Sequence, residues 1–168
     1  MKTPYQFCAL CAAPLVMKEN QLRCSRCPFV HYRNPRPTST AIIVHKGKVL
    51  LTKRRRAPYK GWWDLAGGFL ERGETFDDAL ERELGEELGL EIKRKRLLGF
   101  YHGTYPSRTD PAFIITAAYI VEPKTPELGI EDPEELSAIQ WFSKKDFPGK
   151  IAFDSNQKII KDFIKTWK

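Results

Sequence analysis

The sequence predicts an α+β protein in which a mixed β-sheet lies between two helices and a small cysteine-rich β module precedes it. All four cysteines fall within the first 27 of 168 residues, so the N-terminus is chemically distinct from the rest. Beyond it, strand-like and helix-like segments follow in the order strands, helix, strands, helix, without internal repeats, which favours an α/β/α layout. Hydrophobic residues make up 42% and aromatics 12%, enough for a packed core and too many for a disordered chain.

The cysteines form two C-x2-C pairs separated by twelve residues: Cys8, Cys11, Cys24 and Cys27. This spacing is typical of a zinc ribbon in which four thiolates bind one Zn²⁺. Two disulfides are the alternative, but a C-x2-C pair closes a poor structural loop and no secretory context supports them. A site closed by four thiolates leaves no position for water, so the zinc is expected to be structural. His31 is a possible replacement ligand, although a linker or core role is favoured.

The segment between the cysteine pairs, "AAPLVMKENQLR", predicts a hairpin of two short strands. A module of about 30 residues has too little core to fold alone, so zinc would supply its stability. The next segment, "HYRNPRP", contains Pro35 and Pro37 and predicts a stiff extended linker. We therefore expect a zinc ribbon over residues 1–34 and a second domain over residues 38–168.

In the second domain, Thr38–His45 predicts a strand, and "KG" at Lys46–Gly47 predicts the turn into the strand "KVLLTKRR". The stretch "GWWDLAGG" reads as a glycine-bounded loop with one short strand. Further strands are predicted at "RLLGFYHGTY", "AFIITAAYIV" and "AIQWF".

Two segments predict helices. In "TFDDALERELGEELG", Thr75 and Asp78 resemble a capping box, Gly89 is a plausible terminator, and an apolar stripe recurs every four residues, at Phe76, Leu80, Leu84 and Leu88. In "DSNQKIIKDFIKTWK", Asp154 or Ser155 is the expected cap, and the apolar face consists of Ile159, Ile160, Phe163, Ile164 and Trp167.

The chain carries 28 Lys and Arg against 21 Asp and Glu, a formal charge of +7, which favours an anionic ligand. Its basic runs, Lys53–Arg56 and Lys93–Arg96, are expected to be solvated strand faces, so nucleic-acid binding is not favoured. No apolar run is long enough to span a bilayer. The stretch "FCALCAAPLVM" resembles a secretory signal, but Pro14 and the lack of a cleavage site argue against one. The expectation is a soluble, cytoplasmic protein without a membrane partner.

The segment "ERELGEELG" places four glutamates in nine positions. Like charges at helical spacing repel each other, and a bound cation would offset that cost. Glu83, Glu86 and Glu87 stand at i, i+3 and i+4, within about 100° of one helix face. Carboxylates at this density suit Mg²⁺ or Mn²⁺. From the spacing alone, a solvated acidic face is an equally good explanation.

The glycine-rich loop "GGFLERGE" leads directly into this helix, and Gly68 has no Cβ to obstruct a ligand. Over 23 residues the chain follows G-x5-E-x7-R-E-U-x-E-E-x-G-U, with U a bulky aliphatic, at Gly68, Glu74, Arg82, Glu83, Leu84, Glu86, Glu87, Gly89 and Leu90. This pattern resembles the Nudix box of the Nudix hydrolases.

The resemblance implies a Nudix-type α/β/α sandwich and a catalytic divalent metal. Glu86 and Glu87 would ligate the metal, Glu83 would ligate it or act as a base, and Arg82 would hold these glutamates in place. Glu74 would have a structural role. The implied reaction is Mg²⁺-dependent hydrolysis of a nucleoside diphosphate linked to a moiety X, which gives a nucleoside monophosphate and phospho-X.

"GWWDLAGGFLERGE" also resembles the lead-in to the box, with Ala66 where proline is usual, and the ribbon with "HYRNP" resembles the zinc-bearing branch of the family. That branch includes pyrophosphatases for NADH, FAD and ADP-ribose. The NADH-type array Ser-Gln-Pro-Trp-Pro-Phe-Pro-x-Ser is missing from "GFYHGTYPSRTDPAF", so ADP-ribose or another ADP-linked diphosphate is the expected substrate, with FAD or NADH as further candidates. The alternatives are a nucleoside triphosphate-sanitising hydrolase and a non-catalytic regulator that binds nucleic acid or a metabolite.

Substrate contacts require aromatic rings for the base and cations for the phosphates. The candidates are Trp62, Tyr101, Tyr105 and Phe113 for stacking and Arg54, Arg55 and Arg108 for charge. The loop "PELGIEDPEEL" offers Glu127, Glu131, Glu134 and Glu135. By analogy with the family, Glu131 or Glu134 is the candidate base or extra ligand, although a solvated acidic loop is the favoured interpretation of any single one. A homodimer is a possibility by analogy with the family only.

Overall fold

The N-terminal module is a three-stranded antiparallel sheet in the computed structural model, which describes residues 5–106 and 111–167. Its strands are β1 (Leu15–Lys18), β2 (Gln21–Cys24) and β3 (Val30–His31). The predicted hairpin is confirmed, since β1 and β2 pair with Leu15 opposite Cys24. The segment expected to be linker already contributes a third strand, because His31 pairs with Leu22. Few apolar side chains are buried in this module, and Leu22 is the largest of them.

The second domain contains a mixed seven-stranded sheet. Its main path runs β10-β5-β4-β9-β8, with β6 paired to β5 and β7 to β4. The pairing of β4 with β9 is parallel and the others are antiparallel. The strands are β4 (Arg36–His45), β5 (Lys48–Arg54), β6 (Trp63–Asp64), β7 (Ala66–Phe69), β8 (Ile92–Tyr105), β9 (Ala112–Pro123) and β10 (Leu136–Phe142).

Several boundaries differ from the sequence prediction. Strand β8 begins at Ile92 rather than at the predicted Arg96, and β10 begins at Leu136 rather than at the predicted Ala138. "GWWDLAGG" holds two short strands rather than one, separated at Leu65, because β6 and β7 pair with different neighbours. Strand β4 begins at Arg36, two residues before the predicted Thr38, because residues 36 and 37 already pair in parallel with β9.

The sheet lies between two helices, α1 (Phe76–Leu88) and α2 (Asp154–Thr166). Successive residues of β4 point to opposite faces, and Ile43 packs with the α1 leucines while Ile42 packs with α2. The α1 stripe Leu80, Leu84 and Leu88 is fully buried, and on α2 so are Ile159, Ile160 and Phe163. The predicted α/β/α sandwich is therefore confirmed. Among the described residues, no helix is long and apolar enough to cross a membrane.

The two helices begin differently. The capping box of α1 forms as predicted, with Thr75 and Asp78 exchanging hydrogen bonds, and Gly89 ends the helix in the left-handed conformation. The predicted side-chain cap of α2 is wrong: Phe153 occupies the N-cap position with φ 57° and makes no capping hydrogen bond. Asp154 instead accepts a hydrogen bond from the backbone N–H of Thr104 on β8 at 3.0 Å.

Candidate active site

Strand β7 and helix α1 both contribute to a carboxylate-lined opening. Glu83, Glu87 and Glu135 face this opening across from Gly67 and Gly68. Glu87 is only 7% exposed, and its carboxylate accepts the backbone N–H of Gly67 at 3.4 Å. A Cβ added to Gly68 would lie 2.4 Å from Oε1 of Glu83. The loop can therefore approach the carboxylates this closely only with glycine at position 68.

Arg82 connects the glutamates to the loop before the helix. Its guanidinium forms a bidentate pair with Glu74, with Nε 2.6 Å from Oε1 and Nη2 3.0 Å from Oε2. Nη2 also donates to the carbonyl of Phe69 at 3.0 Å, and Nη1 donates to Glu83 at 2.9 Å and to Glu86 at 3.1 Å. The hydrogen bond from Arg82 lowers the pKa of Glu74. These contacts fix β7 against α1 with charge-assisted hydrogen bonds.

Burial and crowding leave the inner carboxylates poorly stabilised as anions. Desolvation raises the pKa of Glu87 well above its usual value, and the charges of Glu83, Glu135 and Asp64 raise it further. The pKa of Glu83 is also raised, chiefly by desolvation. A hard divalent cation coordinated by these oxygens would remove both penalties. The donor set therefore fits Mg²⁺ or Mn²⁺.

The three box glutamates do not share one environment. The side chain of Glu86 is 63% exposed, whereas that of Glu83 is 17% exposed, and both bind Arg82. Among the residues that the structure describes, three or more possible metal-ligand atoms lie within 4.8 Å of one another only in the cysteine cluster. Glu83 and Glu87 are therefore the largely buried carboxylates available to a cation, and Glu86 stands at the rim.

A second cavity adjoins the opening through Gly67, Gly68, Phe69 and Glu135, which line both. Its floor is the α2-facing side of β4 and β9, with hydroxyls from Thr38 and Thr116 that lie 2.7 Å apart. Tyr105 stacks on Phe153 at a centroid distance of 5.3 Å and an interplanar angle of 22°. The cavity thus combines an aromatic wall, a hydroxyl-rich floor and a carboxylate-lined exit.

A buried polar cluster forms the inner end of this cavity. Arg54 donates to Asp64 at 3.2 Å, Asn156 donates to Asp64 at 2.7 Å, and the guanidinium carbon of Arg54 lies 4.9 Å from the ring centre of Phe153. Desolvation raises the pKa of Asp64 to about 6 although both partners oppose the shift. Sequence reasoning selected Arg54 but missed Asp64, Phe153 and Asn156. Asp64 could have been suspected from the sequence, because it is the one charged residue in the otherwise uncharged segment "GWWDLAGG".

The other predicted contact residues are spread over the surface. Trp62 lies against Tyr59 and lines a different groove with Phe147 and Lys150. Tyr101 packs towards α2, and Arg55 is exposed. Phe113 is 59% exposed and lines a groove near the ribbon. Arg108 lies outside the described residues. Of the four rings, Tyr105 alone is among the described residues that line the cavity.

The glutamates of the loop before β10 also differ in whether they reach the opening. The backbone N–H of Glu131 donates to the carbonyl of Glu87 at 3.0 Å, at the end of α1, and Glu134 is exposed. Glu135 is the loop carboxylate that reaches the opening, where its charge raises the pKa of both Glu83 and Glu87. It also pairs with Arg56 at 3.5 Å. The structure thus favours Glu135 over Glu131 and Glu134 as the carboxylate beside the reaction centre.

The four cysteine sulfurs lie within 4.8 Å of one another. Measured Sγ–Sγ distances are 3.5 Å (Cys11–Cys24), 3.6 Å (Cys11–Cys27) and 3.7 Å (Cys8–Cys27), close to the roughly 3.8 Å edge of a ZnS₄ tetrahedron with 2.3 Å bonds and too long for disulfides.

Electrostatics in the cysteine cluster also favour a cation. Backbone hydrogen bonding lowers the pKa of Cys11 to about 6. Although the backbone at Phe29 lowers it, desolvation and the three neighbouring sulfurs raise the pKa of Cys27 to about 12. Four thiolates therefore need a cation between them, and the cluster fits Zn²⁺.

Comparison with known proteins agrees with the fold. Residues 35–163 match the NUDIX domain. The chain is 39% identical over 137 residues to an ADP-ribose pyrophosphatase of Methanocaldococcus jannaschii, covering 82% of this chain and 77% of that protein. It is 29% identical over 171 residues to the NAD-capped RNA hydrolase NudC of Vibrio parahaemolyticus, covering 98% of this chain and 63% of that protein.

The crystal structure of a NUDIX hydrolase from Nitrosomonas europaea superposes with a TM-score of 0.72 at 25% identity, covering 95% of this chain and 90% of that one. The chain belongs to the NUDIX domain family. Because its curated relatives are pyrophosphatases and hydrolases, the predicted class, an enzyme acting on diphosphate bonds, is confirmed.

Proposed function

We propose that this protein is a Mg²⁺-dependent pyrophosphohydrolase that cleaves ADP-ribose, or a closely related ADP-linked diphosphate, to AMP and a phosphorylated product. The observation that carries this proposal is the junction of the two cavities: a carboxylate-lined opening suited to a metal-bound diphosphate adjoins a hydroxyl-rich aromatic cavity suited to a nucleoside. The 39% identity to an ADP-ribose pyrophosphatase supports the same substrate.

In this proposal, Glu83, Glu86 and Glu87 would hold the metal, and the bound metal would supply charge neutralisation of the diphosphate and a more acidic water. Arg82 holds Glu83 and Glu86 through direct hydrogen bonds and is a positioning residue. Gly68 allows the diphosphate to approach because a side chain there would collide with Glu83. Exchange of Mg²⁺ for Mn²⁺ is compatible with these oxygen ligands.

The chain's own groups arrange the reactants. Tyr105 offers its ring to the base, and Arg54 supplies positive charge at the inner end of the cavity. Glu135 faces the opening and accepts a proton from the attacking water. The water oxygen bonds to one phosphorus of the diphosphate as the bond from that phosphorus to the bridging oxygen breaks, and the bridging oxygen stays with the other phosphate, so AMP and ribose 5-phosphate leave with one phosphate each. Trp62 has no role here, because it lines a separate groove.

The zinc ribbon over residues 1–34 and the hydrolase domain over residues 38–168 have different tasks in this scheme. Cys8, Cys11, Cys24 and Cys27 bind one Zn²⁺ that stabilises the ribbon and takes no part in hydrolysis. We favour ADP-ribose over NADH because the NADH-type array is missing between β8 and β9.

The test is a hydrolysis screen with Mg²⁺ across ADP-ribose, NADH, FAD, coenzyme A, diadenosine polyphosphates and oxidised dGTP. We expect ADP-ribose to be cleaved at least as efficiently as NADH, with AMP as a product. A strong preference for NADH, or for oxidised dGTP over every diphosphate, would overturn the substrate assignment.

A further inference from the structure

Four hydroxyl side chains are buried on the adjacent strands β4 and β9, where each residue is at most 8% exposed: Thr38, Ser39, Thr40 and Thr116. Two of these hydroxyls bind the backbone of neighbouring elements. Ser39 donates a hydrogen bond from Oγ to the carbonyl of Phe76 at 2.6 Å, and Thr40 donates from Oγ1 to the carbonyl of Ala66 at 2.9 Å. They attach α1 and β7 to β4, so the fold itself accounts for them.

The hydroxyls of Thr38 and Thr116 have no comparable backbone partner within the part of the chain that the structure describes. The two residues stand opposite each other in the parallel pairing of β4 with β9, and their Oγ1 atoms lie 2.7 Å apart. The carbonyl of Ile115 is 3.5 Å from Oγ1 of Thr38, which is too long for a strong hydrogen bond. Each hydroxyl can donate once and accept twice, and the bond between them uses a single proton. The pair can therefore still donate hydrogen bonds to a ligand and accept them from it.

The hydroxyl pair lies in the cavity, close to its junction with the opening. Both threonines line the cavity, and Thr38 stands opposite Phe69 in the pairing of β4 with β7. Phe69 lines both the cavity and the opening, and residues directly opposite each other on one face of a sheet have Cβ atoms about 5 Å apart. The sugar of a nucleotide is bonded directly to its phosphate. A nucleotide with its diphosphate in the opening would therefore bring its ribose to this pair.

We propose that Thr38 and Thr116 bind the 2′- and 3′-hydroxyls of the substrate ribose and select ribonucleoside diphosphates over their 2′-deoxy counterparts. Both hydroxyls of a ribose diol donate and accept hydrogen bonds, which matches the capacity that the threonine pair retains. In a 2′-deoxyribose one of these hydroxyls is replaced by hydrogen, so one hydrogen bond to the buried pair is lost. This inference rests on the proposed function, because it takes the cavity to hold the adenosine of the substrate. The two threonines determine specificity and take no part in the chemical step.

The experiment measures kcat/KM for ADP-ribose and for the analogue that lacks the 2′-hydroxyl of the adenosine ribose. The test variants are Thr116→Val and Thr38→Val, in which a methyl group replaces the hydroxyl with little change of shape. Thr52→Val is the matched control, because Thr52 is also a buried strand threonine, 2% exposed, but binds the carbonyl of Asp64 at 3.4 Å and does not line the cavity. An analogue that lacks the 2′-hydroxyl of the terminal ribose is the control substrate.

We expect wild type to prefer ADP-ribose over the 2′-deoxyadenosine analogue by at least about 5-fold in kcat/KM, the scale of one hydrogen bond. In at least one of Thr116→Val and Thr38→Val, kcat/KM should fall about 5-fold for ADP-ribose and for the control substrate. It should stay nearly constant for the 2′-deoxyadenosine analogue, so that the preference is largely lost, whereas Thr52→Val should keep it. A merely structural role would lower kcat/KM equally for all three substrates. That result, an unchanged preference in both test variants, or a wild type without preference would overturn the inference.

Failure of this inference is separable from failure of the proposed function. Equal hydrolysis of ADP-ribose and its 2′-deoxyadenosine analogue by wild type would overturn the role of the threonine pair and leave the proposed function standing. If ADP-ribose is not hydrolysed, calorimetric titration with AMP and with 2′-deoxy-AMP decides. Tighter binding of AMP by wild type, with loss of that difference in Thr116→Val or Thr38→Val, would support the inference. Equal or undetectable binding of the two nucleotides by wild type would overturn it, as would a difference that both variants keep.

Discussion

The protein contains two candidate metal sites that are built in opposite ways. In the ribbon, four sulfurs from two loops lie within 4.8 Å of one another, and little apolar surface is buried around them. In the hydrolase domain, the glutamates project from a helix whose leucine stripe is completely buried, and one nitrogen of Arg82 bridges the carboxylates of Glu83 and Glu86.

The two sites differ in what the metal does: the zinc is expected to stabilise the fold of its module, whereas the second metal would bind to a domain that is already folded. The ribbon lacks a core, so binding of Zn²⁺ is expected to supply its folding free energy. Helix α1 is stable through its own packing and can tolerate the repulsion between Glu83 and Glu87. Their negative charge is therefore available to bind a cation, which in turn would bind a diphosphate. The following predictions test this contrast.

The largest effect is expected from loss of the zinc. One zinc per chain should co-purify, and Cys24→Ser should unfold the ribbon, since it removes one of four thiolates from a module without another source of stability. Limited proteolysis should then cleave residues 5–34 while the hydrolase domain stays intact, and ADP-ribose hydrolysis should be largely retained. Disulfides without zinc in the purified protein, or concerted loss of both domains, would contradict the contrast.

Glu87→Gln should lower Mg²⁺-dependent activity by at least ~10²-fold, the scale for removal of one transition-state stabiliser. Glu81→Gln makes the same charge change on the same helix. Glu81 is exposed and pairs with Lys95 at 2.7 Å, so its loss should cost at most about 1 kcal/mol of stability and little activity. Steady-state kinetics at saturating Mg²⁺ distinguish the two variants. Similar behaviour of both would show that the metal-binding face is assigned wrongly.

Two glycine substitutions test how closely the loop must approach the glutamates. In Gly68→Ala the new methyl would displace the carboxylate of Glu83, and we expect activity to fall about 10-fold or more. Gly85→Ala is the control, because its Cβ meets nothing within 4 Å and alanine should stabilise the helix by about 0.5–1 kcal/mol. Activity assays with thermal melts test both. Unchanged activity in Gly68→Ala would remove the argument for glycine there.

The sequence predicted the parts of the site that are local in the chain. Thr75, Asp78 and Gly89 define α1 through short-range hydrogen bonds and backbone conformation, so the helix and the phase of its glutamates could be read directly. Asp64 could not be found this way, and Glu135 could not be selected from the four glutamates of its loop, because pairing between β10, β5 and β6 brings both to the cavity. Phe153 gave no local signal either, since its positive φ is imposed by tertiary packing rather than by a turn residue.

The smallest effect concerns the free energy of unfolding without added Mg²⁺. The folded-state pKa of Glu87 is raised, chiefly by desolvation, so the stability that protonation provides is present below the unfolded pKa of about 4.3 and is lost as the pH rises through the folded pKa. Wild type should therefore lose stability towards neutral pH relative to Glu87→Gln. At pH 7 the variant should be more stable by about 0.2–0.5 kcal/mol, the scale of one like-charge i,i+4 pair, as measured by urea unfolding. Added Mg²⁺ should stabilise wild type and have less effect on the variant. If Glu87→Gln is less stable than wild type at pH 7 without Mg²⁺, the protein alone stabilises the ionised carboxylate. The contrast between the glutamate site and the ribbon would then be smaller than the structure indicates.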